Sequence, residues 1–350
     1  MKKTIMKFIF LSTLILTTIG TLNFFIDKAN ILKTETYYNK ICDNIINDVP
    51  IRGLGNGDQV IIKKNLFKKV AEIDDKFDIL IFGSSRAWNL NSELFKENRI
   101  FNFSIPNNRL RDTYAYINFA LKHSKKPKKI YIELYPDMFY KGNEKILYNF
   151  LLSDYLEISK KHKINNSDNS LKSQITNHPI YNIFSPSYFQ FSIYFLFNSN
   201  LFIPNENAIM DFSLYELKKD GSFIPPQSTK DKAGIDFRPF IKKTVLKFKN
   251  IEYNIETFEE LEKLILIINS LDVNLNIVLS PLHPFIYDLC MENPGFEYIL
   301  EIEEKIKKIC IKHNVTIFGS YNPKDTNAKA EDFYDQVHLK HEKTAKILNF

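Results

Sequence analysis

The chain has 350 residues, 44% of them hydrophobic and 25% charged, a globular balance long enough for one large domain or one domain with a sizeable insertion. Its formal charge of +6 comes from scattered lysines, and the densest cluster, Lys122 to Lys129, reads as a solvated loop before a strand. No basic face interleaved with aromatics is present, which excludes a nucleic-acid groove; a mildly basic exterior favours anionic surface polymers or lipid head groups.

In chain order, Lys2, Lys3 and Lys7 precede an uncharged apolar stretch from Phe8 to about Ile26. At about 1.5 Å per residue, such a helix nearly spans the ~30 Å hydrocarbon core of a bilayer. The preceding basic flank keeps the N-terminus inside and exports the rest. A cleaved signal peptide is the main rival, but no small-x-small site follows the run and no lipobox cysteine is present. The expectation is one transmembrane anchor over residues 1–27, a polar stalk and short β-rich lead-in over 28–76, and a folded domain over 77–350.

Short apolar runs then recur, each ended by turn residues. Phe77 to Phe82 stops at Gly83-Ser84-Ser85, Ile100 to Phe103 is the second, and Lys129 to Leu134 stops before Pro136. Leu275 to Leu279 stops at Ser280-Pro281, and Val315 to Phe318 stops at Gly319. Helical patterns separate them at Arg111 to His123, Thr257 to Ser270 and Tyr298 to His313. This alternation predicts an α/β fold, a five-stranded parallel sheet covered by helices, with sites at the carboxyl ends of the strands. From about 140 to 250 the alternation breaks into an insertion rich in Asn, Ser, Phe and Tyr. Its aromatic block, Tyr188 to Ile203, is too interrupted for a span and reads as a helical cap or, alternatively, a surface leaning on the membrane.

Two short patterns carry chemistry. Ser85 ends a buried strand at a glycine turn and opens a helix, where backbone N–H groups face an incoming oxyanion, although Gly-Ser-Ser also serves as an ordinary N-cap turn. Asp335-Gln336-Val337-His338 offers a base and a carboxylate to orient it from one loop, although Asp-x-x-His is frequent on surfaces. One follows the first strand and the other the last, so a parallel sheet brings both loops to the same rim. Asp332 is a spare carboxylate at a poorer spacing.

These blocks resemble the SGNH/GDSL hydrolase superfamily. Gly83-Ser84-Ser85 stands where founding members have Gly-Asp-Ser, and Asp335 and His338 match the terminal block. The resemblance implies a three-layer α/β/α flavodoxin-like fold with Ser85, Asp335 and His338 catalytic and no cofactor. It places Asn107, in Asn102 to Asn107, at the glycine whose amide serves the oxyanion hole. The third block departs: Leu134-Tyr135-Pro136-Asp137 lacks the usual Asn, leaving Tyr135 or another group as its replacement. A membrane-anchored extracytoplasmic subset, similar to D-alanyl transfer proteins and polysaccharide O-acetylation proteins, is the nearer likeness. It implies cell-envelope polysaccharide or an acyl donor as substrate and a multi-pass membrane O-acyltransferase as partner.

Other residues weigh less. Arg86 orients a substrate anion or makes a salt bridge; His283, between Pro281 and Pro284, touches substrate or is a plain loop histidine; Trp88 reads as core. Cys42, Cys290 and Cys310 have no metal spacing and leave open one bridge with a free thiol or three buried thiols. The resulting expectation is a serine esterase or O-acyltransferase; the alternative is a non-catalytic accessory protein binding an envelope glycan or a membrane acyltransferase.

Overall fold

The computed structural model describes residues 2–26, 34–52, 54, 56–164, 215–226, 229 and 249–349. The strands among them are β1 (Ile51–Arg52), β2 (Ile79–Phe82), β3 (Ile100–Asn102), β4 (Lys129–Leu134), β5 (Glu216–Leu217), β6 (Phe223–Ile224), β7 (Asn274–Leu279) and β8 (Thr316–Gly319). The helices are α1 (Lys2–Ile26), α2 (Thr34–Ile46), α3 (Asn56–Ile73), α4 (Leu110–His123), α5 (Leu152–His162), α6 (Ile255–Ser270), α7 (Pro284–Glu292), α8 (Tyr298–Lys312) and α9 (His341–Ile347).

Five strands form one parallel sheet in the order β3-β2-β4-β7-β8. Numbered within the sheet this is 2-1-3-4-5, the order compatible with a flavodoxin-like fold. Right-handed crossovers then dictate the layers: the connection from β2 to β3 runs one way and all later ones the other, so they cover opposite faces. The side chains follow. Leu80, Phe82, Ile130, Ile132, Leu275 and Ile277 enter the large core packed by α3, α4, α6 and α8. Ile79, Ile81, Tyr131 and Val278 face the other way, under the segment Ala87–Phe95 and the end of α9. That second layer is thin. The β2–β3 connection holds only a 3-10 turn, Ser85–Ala87, where an opening helix was expected.

The lead-in expected over 28–76 is corrected in part. The described residues 34–73 are mainly helical, and α2 and α3 bury Tyr38, Ile41, Val60, Leu66 and Phe67 in the large core. Lysines at 63, 64, 68 and 69 interrupt the apolar rows of α3 and hid its period, yet Lys63 itself is fully buried. The insertion contributes α5, which packs on α4 through the bond from Asn118 to the Asp154 carbonyl. It also supplies β5 and β6, which join β1 in a small antiparallel sheet and so add strands to the cap expected to be helical. The aromatic block Tyr188 to Ile203 lies outside the described residues.

At the N-terminus α1 covers the run expected to anchor the chain. Among the described residues no helix is long and apolar enough to cross a membrane, and the side chains of Phe8, Ile9 and residues 23–26 fall outside the description. All three cysteines are free and buried, and burial pushes the Cys42 and Cys310 thiols up to about 12 and that of Cys290 to about 11.

Candidate active site

Ser85 lies just beyond the carboxyl end of β2, at the point where the crossovers change direction, the usual position of ligand sites in open α/β sheets. His338 comes from the loop before α9. Its Nε2 is 2.9 Å from the Ser85 Oγ, and its Nδ1 is 2.7 Å from Asp335 Oδ2. Asp335 is fixed in turn: its Oδ1 accepts the N–H groups of Val337 and His338, both at 2.8 Å. The loop closes on itself through the Phe333–Leu339 bridge and the Tyr334 N–H to His338 carbonyl bond. Burial alone would raise the Asp335 carboxyl, but the hydrogen bond and charge of His338 and the two amides hold it below the ordinary carboxylate range. Asp332 is occupied elsewhere, accepting the Lys329 N–H at 2.8 Å.

The turn bearing Ser85 is held from beneath. Gly83 sits at φ +151°, and a Cβ there would come 2.6 Å from the Glu133 Cβ, so the β2–β4 contact requires glycine. Glu133, the last residue but one of β4, is fully buried, and its Oε2 accepts both the N–H and the Oγ–H of Ser84 at 2.8 Å. Burial raises its pKa, while Arg86 and Ser84 pull the other way. Asn102 ties in the next loop, donating to the carbonyls of Ala87 (2.7 Å) and Leu90 (2.9 Å) and accepting the Ser104 N–H.

Asn107 adopts φ +52°, the left-handed conformation expected of a residue replacing glycine. The Ile105 N–H to Gly83 carbonyl bond, 3.0 Å, sets its loop beside the Ser85 turn. Asn107 lines a cavity of about 340 Å³ of mixed character, with Asn108, Arg109 and Asn143 beside Met138 and Leu147.

The remaining candidates have partners of their own. The Arg86 guanidinium lies on the Tyr135 ring, 3.0 Å from its centre, and donates to Ser84 Oγ at 3.1 Å. Tyr135 thus serves as a platform for Arg86. His283 caps α7, its Nδ1 accepting the Phe285 N–H at 3.3 Å, and its ring packs on Phe333, so it stands beside the triad loop in a structural position.

Trp88, read as core, is half-buried and packs against the large core, and its indole also lies parallel to the His338 ring, planes 5° apart and centres 5.9 Å apart. Tyr215, from the insertion, flanks the same imidazole at 6.2 Å. Neither was legible beforehand. Glu133 left a trace, as the one charge within the apolar part of its strand. Among the described residues no group of three His, Cys, Asp or Glu is placed to hold a metal.

The arrangement can move a proton from Ser85 to His338 while Asp335 fixes the imidazole tautomer. No protein-family model and no curated protein matches this chain.

Proposed function

We propose that this chain is a serine esterase or O-acyltransferase of the SGNH type, anchored by α1 and acting outside the cytoplasmic membrane on acyl esters of cell-envelope polysaccharide or teichoic-acid-type polymers. The observation that carries the reading is the continuous relay Ser85–His338–Asp335, at 2.9 and 2.7 Å, on the rim where a parallel sheet of this order forms its sites.

Ser85 Oγ attacks the ester carbonyl as His338 Nε2 takes its proton; the carbonyl π pair moves to the oxygen. The tetrahedral intermediate collapses, His338 returns the proton to the departing alcohol, and an acyl-Ser85 remains. Water or a polymer hydroxyl then attacks with His338 again as base, giving hydrolysis or transfer. The N–H groups of Ser85 and Asn107 receive the oxyanion. Trp88, stacked parallel to the His338 ring, limits the orientations the imidazole can take. The Asn108, Arg109 and Asn143 side chains of the cavity at Asn107 suit a hydroxyl-rich leaving group or acceptor. A multi-pass membrane O-acyltransferase is the partner this reading calls for.

A second reading, an accessory protein that binds a glycan without turnover, is favoured by the third block. Pro136 has no N–H and the block Leu134-Tyr135-Pro136-Asp137 holds no Asn, and losing one oxyanion donor typically costs about 3 kcal/mol of transition-state stabilisation. Labelling with a fluorophosphonate probe decides between them. Wild type is expected to be labelled and Ser85→Ala not; absence of label on folded wild type establishes the binding role instead.

A further inference from the structure

A cavity of about 270 Å³ opens beside the triad loop. Gln336 and Val337, the two residues between Asp335 and His338, form part of its wall, and Arg86, the neighbour of Ser85, forms another part. The rest is aromatic and aliphatic, with Ile286 of α7 and Phe296 and Tyr298 near the start of α8 contributing. Its two charged lining residues answer each other: Arg86 lies on Tyr135, and the Asp137 carboxylate acts on it electrostatically. No surplus charge is left to select an ionic ligand, and the lining rewards burial of hydrocarbon.

We infer that this cavity receives the acyl chain of the ester and that the chain is uncharged and of medium length, not acetyl. The inference rests on Ser85 being the nucleophile. An apolar cavity of about 150 Å³ accommodates benzene, so one approaching twice that volume holds an acyl group of roughly six to ten carbons. The cavity at Asn107, with its Asn and Arg side chains, shares Asp137 and Tyr140 with the apolar one, so hydrocarbon and hydroxyl-rich halves of one ester have adjoining places.

The test compares p-nitrophenyl acetate, hexanoate and octanoate on the full-length protein, with Ser85→Ala as blank. Each methylene moved from water into an apolar site contributes about fourfold, so the hexanoate-to-acetate ratio of kcat/KM is expected to exceed tenfold. Ile286→Trp, which fills the cavity, is expected to bring that ratio near one. Ile286→Ala, which introduces no clash, is expected to move the optimum toward octanoate. Ser85-dependent turnover with a ratio of one or less in wild type overturns the inference and leaves the Ser85 reading standing, as does a ratio that neither variant changes. Absence of both Ser85-dependent turnover and fluorophosphonate labelling overturns the two together.

Discussion

Asn89 donates its amide to the carbonyl of Leu339, 3.0 Å away, joining residues 250 positions apart. A second bond, 2.9 Å to Thr344 Oγ1, fastens the same amide to α9. The turn that carries Ser85 is thereby clasped to the segment that follows His338, and the 2.9 Å contact between hydroxyl and imidazole depends on that registration. Replacing Asn89 by Ala removes both bonds. The expected cost is about 1–2 kcal/mol in urea unfolding, with slower fluorophosphonate labelling of Ser85. An unchanged labelling rate would show that the two loops find their alignment without this clasp.

Lys63 is fully buried, its ammonium donating to the carbonyls of Asn102 (3.1 Å) and Ser104 at the base of the Asn107 loop. Burial lowers its pKa well below the ordinary lysine value, and Asp220 restores a little. Between the folded and unfolded pKa values the unfolded chain binds more protons, so stability rises with pH there. The stability of wild type relative to Lys63→Met is therefore expected to improve as pH is raised from neutral toward about 10.4, the unfolded value. Urea titrations of both proteins at several pH values measure this; a difference that stays flat with pH contradicts it.

Asp335 has the opposite acid–base role. Its folded pKa is held below the unfolded value of about 3.9, so its stabilising contribution is present above that pH and is lost as pH falls through the folded value. The stability gap between wild type and Asp335→Asn is expected to be constant near neutrality and to close in acid. Labelling of Ser85 in Asp335→Asn should fall by a factor on the order of 10³–10⁴, because an amide stabilises the wrong imidazole tautomer. A variant that labels at the wild-type rate would remove Asp335 from the relay.

The five parallel strands and α4, α6 and α8 were readable because each shows a short, mostly apolar run or a 3.6-residue stripe, whereas α5 and α7 gave no such signal. Helix α3 was not readable, since four lysines break its stripe and one of them points inward. The small sheet escaped notice because β1 and β5 pair over two residues each, Ile51 with Leu217 and Arg52 with Glu216, too short for any period to show. Arg86 and His283 each left two readings open, a substrate contact or a structural role, because short-range sequence could not show the Tyr135 ring beneath the one or the start of α7 beside the other.

By itself the sequence determined the α/β plan and the three residues Ser85, Asp335 and His338, because strand ends and local motifs are properties of neighbouring residues. Only the tertiary structure decided that those three meet within hydrogen-bond reach, that Trp88 faces the imidazole, and that Glu133 underpins the turn. Each of these depends on distances between segments far apart in the chain, and such distances are fixed by strand order and packing together, which no short stretch of residues encodes.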